Sequence, residues 1–179
     1  MLIQVSKIIS ISVILCASIM VPAQANVDNC MVGKWKPGAG QLKKQFSQLS
    51  QQQVKAVTGQ VTLSFDKRGT GVYQIRNLNM LMKPPASGGP AMDINIVMNG
   101  ATNFNWSAGN KKFSIKNKKI NLKTSGFMNM GGQRIPIPSM PINNNKGGGV
   151  ADGRYTCSGN KLIVDSNKEG GMLKIWHRM

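Results

Sequence analysis

The sequence predicts an all-β, mainly antiparallel protein: a closed or nearly closed barrel of about eight to ten short strands, with one helix inserted after the first strand. Three observations lead to that class. Apolar and polar residues alternate from residue 60 onward. Clusters of Gly, Asn and Lys interrupt the alternation at short, regular intervals. Two cysteines, Cys30 and Cys157, stand near opposite ends of the chain once its first 25 residues are set aside.

Residues 1–25 read as a cleaved export signal. Lys7 supplies the positive start, the apolar run extends from Ile8 to Val21, Pro22 breaks it, and Ala23-Gln24-Ala25 fits a small-x-small cleavage site before Asn26. The run is too short for a membrane span. A lipidated Cys16 is the weaker reading, because Leu15 is too large for the preceding position and apolar residues continue beyond it. Residues 26–179 are then one domain, of a size that can bury its own core. Removal of the signal takes away Cys16, and the even pair left in an exported chain predicts a Cys30–Cys157 disulfide. Closing most of the chain, it is worth about 4–5 kcal/mol in the loop-entropy model.

The elements follow in order. Gly33-Lys34-Trp35 opens the first strand. Residues 41–57 place Leu42, Phe46 and Leu49 at helical spacing without Pro or Gly, and Gly59 is the expected stop, so this segment is the helix, a lid or plug on the barrel. Residues 61–66 alternate as a half-buried strand, 66–71 turn, and 72–82 return. In the returning strand the apolar parity shifts from Tyr73 and Ile75 to Leu78, Met80 and Met82, which predicts a one-residue bulge near Arg76-Asn77. Pro84-Pro85 and Gly88-Gly89-Pro90 form a loop. Strand pieces are expected at 94–98, 104–106, 113–115, 120–122 and 127–130. Three prolines bar 135–141 from a central strand and predict an extended edge or crossing segment. The triglycine 147–149 is flexible, and a meander over 153–158, 161–165 and 172–178 ends the chain.

A Gly-x-Trp on the first strand, Gly33-Lys34-Trp35, with a basic residue on the last, Arg178, resembles calycin-type barrels, the group of the lipocalins and avidin-like proteins. The resemblance implies that Arg178 packs across the Trp35 indole and closes the barrel where its first and last strands meet. The physics agrees: a guanidinium over an indole gains about 0.5–2 kcal/mol, and a closed ring leaves no strand edge free. The chain lacks the middle lipocalin motif and the tryptophan pattern of biotin binders, so the resemblance carries a fold and no ligand.

The charge speaks to partners. The chain has 23 basic and 6 acidic residues, a formal charge of +17, lowered by one when Lys7 departs. No acidic residue lies between Asp93 and Asp152, where eight Lys or Arg stand. Phospholipid headgroups, lipopolysaccharide or acidic polymers are the natural partners of an exported chain; nucleic acid is disfavoured, since motifs that read bases are missing. Phe113 and Ile115 facing one way, with Ile120 and Leu122 on the next strand, predict a hairpin that presents Lys112, Lys116, Lys119 and Lys123 to solvent with Lys118 in its turn. Such a face suits an anionic surface, or serves only solubility and edge protection.

Of 12 methionines, several fall on expected strands, where thioethers suit either an adaptable apolar pocket or an irregular core. Met98, Phe104 and Trp106 are the candidate ligand-lining group. One histidine, His177, two cysteines assigned to a disulfide and six scattered acids compose neither a metal site nor a triad. The expectation is therefore a periplasmic or secreted, non-catalytic protein without cofactor or metal. It binds an apolar or amphiphilic small molecule or lipid and turns its basic face to an anionic membrane or envelope surface; its oligomeric state is open. The alternatives are an envelope structural protein and an inhibitor of an exported hydrolase. The latter is prompted by Tyr155-Thr156-Cys157, Gly159 and Leu162-Ile163-Val164, which resemble bacterial lysozyme inhibitors, although a basic lysozyme would be repelled.

Overall fold

The chain winds into a ring of antiparallel ladders. In a computed structural model, which describes residues 27–50, 53–84, 92–142, 150–166 and 173–179, the order is β1 (Gly33–Pro37), α1 (Gln41–Ser50), β2 (Gln53–Phe65), β3 (Thr70–Lys83), β4 (Met92–Gly109), β5 (Lys112–Met130), β6 (Gln133–Ile142), β7 (Gly153–Ser158), β8 (Lys161–Ser166) and β9 (Ile175–Arg178). The export signal expected at 1–25, Pro85 with the expected Gly88-Gly89-Pro90 loop, the triglycine 147–149, Met172 and the Leu49 side chain lie outside the described residues. Among the described residues, no helix is long and apolar enough to cross a membrane.

Ladders connect β1 to β2, β3, β4 and β5, pass from β5 to β7, β8 and β9, and return from β9 to β1. The β5–β7 joint is the narrowest, with only Lys112↔Arg154 and Phe113↔Gly153 in register. β6 pairs with the far half of β5 alone, at the edge of the sheet. This is the proline-bearing segment: Pro136, Pro138 and Pro141 have no N–H to offer a further strand.

Strand lengths are unequal, and that shapes the molecule. β1, β7, β8 and β9 have 5, 6, 6 and 4 residues, whereas β2 to β5 have 13, 14, 18 and 19. The long strands complete the ring with one half and continue past its mouth with the other. Together with β6, these outer halves form a blade.

Bulges keep the alternation in phase along the long strands; besides shifts at Val54/Ala56 in β2 and between β5 and β6 at Thr124/Gly126, two are marked by an Asn at positive φ. Asn77 (φ 47°) is the extra residue of β3: Ile75 faces Gly100 while Leu78 faces Met98. Its N–H is taken by the Asn99 side-chain oxygen at 2.7 Å. The parity change within 72–82 therefore has the expected cause. The second bulge corrects an expectation. No turn divides 113–115 from 120–122; β5 runs through as one strand, and Asn117 (φ 50°) is its extra residue between the Asn105↔Lys116 and Asn103↔Lys119 pairs. A bulge flips parity as a hairpin turn does, which explains the misassignment. The pieces 94–98 and 104–106 likewise belong to one strand, β4, and 127–130 is the end of β5.

The helix is shorter than the 41–57 expected. It ends at Ser50, and β2 begins at Gln53. Val54, Val57, Thr58, Val61 and Thr62 are β-branched and favour the strand. Gly59 (φ 105°) sits opposite the β3 bulge, where a Cβ would lie 2.2 Å from the Asn77 carbonyl oxygen. It is required there for close approach of two strands and stops no helix. Leu42 and Phe46 of α1 pack against the core at its margin.

The ring is filled. Trp35, Trp176, Leu63, Leu78 and Leu162 are fully buried, with Phe65, Tyr73, Phe104, Trp106, Phe113 and Tyr155 around them. Edge-to-face contacts join Phe65 to Trp106 (4.8 Å between centroids), Phe65 to Phe104 (5.9 Å), Tyr73 to Trp176 (6.3 Å) and Phe113 to Tyr155 (6.4 Å).

Candidate binding surfaces

The closed end of the ring is a clasp built by both termini of the domain. Arg178 places its guanidinium carbon 4.4 Å from the Trp35 ring centroid. Its Nη1 donates to the Val32 carbonyl and its Nη2 to the Cys30 carbonyl, both at 2.8 Å. Gly33 (φ 135°) makes room: a Cβ there would stand 2.7 Å from Arg178 Nη1. Trp35 Nε1 donates to the Met31 carbonyl at 2.8 Å, and Trp176 Nε1 to the Leu173 carbonyl at 2.7 Å, so both buried indoles are satisfied. The Cys30–Cys157 disulfide joins the approach to β1 to the end of β7, 127 residues apart in sequence. The Tyr155 hydroxyl donates to the Asp28 carboxylate, and burial, reinforced by that carboxylate, holds the phenol above its ordinary value of 10. These contacts tie the first strand to the last.

Phe104 and Trp106 occupy the interior. Trp106 Nε1 donates to the carbonyls of Thr70 (3.0 Å) and Asp66 (3.2 Å), pinning the β2–β3 turn to β4. Phe104 lies over Gly71, where a Cβ would come within 2.3 Å of its ring. A ligand inside the ring would have to displace these side chains. Met98 is on the same face of β4 but six residues away, about 20 Å along the strand, on the blade. The structure therefore brings Phe104 and Trp106 together in the core and places Met98 at the margin of that core, packed against it.

Met98 belongs to a different surface. Beyond the aromatic core, the inner face of the blade is a succession of apolar cross-strand rows. Val54, Met82, Ile94, Met128 and Ile135 stand opposite one another across β2 to β6. The next row toward the ring reads Met80, Ile96, Gly126, Ile137, and the one after it Leu78, Met98, Thr124, Met140. Exposure grows across the blade. Val54, Met80 and Met82 are buried, Ile94, Ile96, Met98 and Met128 half-buried, and Met130, Ile135 and Met140 are 39%, 36% and 53% exposed. Composition announced the methionines, but their common face became visible only with the register.

The opposite face carries the lysines. Lys112, Lys116, Lys119 and Lys123 are exposed along β5, spread over about 35 Å of one strand instead of facing each other across a hairpin. Lys118 is half-buried beside the bulge, and its Nζ donates to the Val150 carbonyl at 3.3 Å. Asparagines of β4 flank the row: Asn99 faces Lys123, Asn103 faces Lys119 and Asn105 faces Lys116. Among the described residues the ion pairs are Lys55–Asp93 (2.9 Å) and Arg68–Asp66 (3.1 Å), neither on this row.

His177 is on β9, opposite Lys36 and Lys161. Asp152 accepts the Ile115 N–H at 2.6 Å, and Asp165 stands across from Arg154. Among the described residues no three His, Cys, Asp or Glu side chains gather into a metal-binding group. Tyr155, Leu162 and Val164, from the segment that resembles lysozyme inhibitors, are buried in the core. Comparison with protein-family models, curated proteins and solved structures finds no match to this chain.

Proposed function

We propose that this chain is an exported, non-catalytic binding protein. It holds an apolar or amphiphilic ligand on the Met/Ile face of the blade and turns its lysine-bearing face toward an anionic component of the cell envelope. The observation that carries this reading is the graded exposure of the blade's inner rows, which end in the open side chains of Met130, Ile135 and Met140. Flexible, polarisable thioethers adapt to varied apolar shapes, and exposed contiguous apolar surface on a folded domain marks an interaction site. The filled ring leaves no room for a ligand among its core side chains, which favours the blade as the binding face. Export is supported by the Cys30–Cys157 disulfide.

The test is titration of the mature domain with an environment-sensitive apolar dye, together with mass spectrometry of lipid retained on gentle purification. Met128→Lys and Ile135→Lys stand opposite each other at the blade and outside the aromatic core. The double variant should keep its near-ultraviolet signature and lose the dye. Undiminished dye binding by the folded variant would overturn the proposal.

A further inference from the structure

The outer face of β1 to β5 is equipped for a more specific partner than a generic anion. Two surface depressions adjoin there and share Val72. The smaller, about 220 Å³, is lined by Lys34, Gln60, Thr62, Ser64, Gln74 and Arg76, with Met179 at its rim. The larger, about 750 Å³, is lined by Thr70, Asn103, Asn105, Asn117, Lys118 and Lys119, with Gly71 and Phe104 beneath. The register explains the continuity: Lys34, Ser64, Val72, Asn103 and Lys119 stand opposite one another on five successive strands. That row spans about 19 Å, with a cation at each end and, between them, the Ser64 hydroxyl, the Val72 side chain and the Asn103 carboxamide.

We propose that this trough is a docking surface for a linear acidic polysaccharide, one bearing carboxylate or sulfate groups along a hydroxyl-rich chain. The inference names the partner of the basic face and rests on the reading above, that this face is an attachment surface. Ser, Thr, Asn and Gln each both donate and accept, which matches sugar hydroxyls, while Lys34, Arg76 and Lys119 supply charge for the acid groups. Among the described residues no Asp or Glu side chain lines the trough. Asp66 is engaged by Arg68 in the β2–β3 turn, Asp93 by Lys55 at the blade, Asp28 by Tyr155 and Asp152 by the Ile115 N–H, while Asp165 lies on β8.

Two other polyanions fit less well. A membrane would want apolar groups to insert, yet the exposed Met130, Ile135 and Met140 lie on β5 and β6 outside the trough. A single-stranded nucleic acid would want exposed rings for its bases, whereas Phe104, Trp106 and Tyr73 of these strands are buried. A row several sugar units long also favours a polymer, whose repeated weak contacts add.

The experiment uses the mature domain with dextran sulfate and polygalacturonate as probes, and with uncharged dextran, phosphatidylserine/phosphatidylcholine vesicles and single-stranded DNA as comparisons. Both acidic glycans should bind and dextran should not. Arg76→Glu with Lys119→Glu should weaken glycan binding at least about tenfold, while Lys43→Glu with Lys44→Glu on α1, an equal change in net charge, should leave it within about twofold. If the reversal variant does not fold, Arg76→Gln with Lys119→Gln carries the same comparison. Equal losses in the trough and helix variants, absence of glycan binding, or tighter binding to vesicles or DNA than to either glycan would overturn the proposal. Apolar dye binding to the blade, measured on the same samples, reports separately: a domain that binds dye but no glycan refutes the trough alone.

Discussion

Arg178 is the residue on which closure of the ring should depend most measurably. Arg178→Ala removes two guanidinium hydrogen bonds of 2.8 Å, to Val32 and Cys30, and the stacking over Trp35. Taking about 1–1.5 kcal/mol for each charge-assisted bond at this half-buried position, and about 0.5–1 kcal/mol for the cation–π contact, the loss is about 3 kcal/mol. That is a large part of a typical domain's stability. Arg178→Lys keeps the charge but not the fork that reaches two carbonyls, and should recover about half. The assay is denaturant unfolding of the oxidised domain, followed by tryptophan fluorescence. Gly33→Ala adds an internal check. Its Cβ meets Arg178 Nη1 and its φ is 135°, so the substitution should cost more in the native background than in Arg178→Ala, where the clash is gone and only backbone strain remains. An Arg178→Ala loss below about 1 kcal/mol, or additive effects of the two substitutions, would refute the clasp.

Other consequences are open to measurement. Gly71→Val should destabilise by about 2–4 kcal/mol, because its Cβ would sit 2.3 Å from the Phe104 ring, and Phe104→Ala should relieve part of that cost in a thermal-melt cycle; purely additive losses would contradict the packing. Replacing Cys30 and Cys157 together by Ser opens a loop of 127 residues and should cost about 5 kcal/mol in the loop-entropy model, read as a lower denaturant midpoint; a change under about 1 kcal/mol would be incompatible with it. Burial holds the Tyr73 and Tyr155 phenols above their ordinary value of 10, so the unfolded chain loses these protons first. Stability from both should be intact below that pH and fall as pH climbs past it, and a tyrosinate absorbance titration should show no reversible step near pH 10 while the protein stays folded.

What could be learned before the structure depended on whether a signal was local. The parity change between Ile75 and Leu78 is a local signal, and it located the bulge at Asn77. So is the proline spacing that keeps β6 at the edge. The same kind of signal misled at Asn117, because a bulge and a tight turn both flip parity and both accept Asn at positive φ. Val54 and Val57 fit helical and strand spacing alike, and only pairing with Met82 and Met80 decides between them. The blade was hidden for a different reason. Its existence depends on the outer halves of β2 to β5 having no counterpart on β1, β7, β8 or β9, a property of register among distant segments. Hence the methionines and lysines were visible one by one, while their assignment to opposite faces was not.

The bulges at Asn77 and Asn117 give the two faces a common phase. Each residue beyond a bulge owes its side of the sheet to a count made from the turn before it. Deleting Asn117 would remove one polar side chain, yet it would send Leu122 and Met128 outward and Lys119 and Lys123 inward. The identity of each face is therefore written in the number of residues as much as in their kind. A Met-to-Ile or Lys-to-Arg exchange on these faces leaves every side chain on its own side, whereas a single-residue deletion within these strands does not.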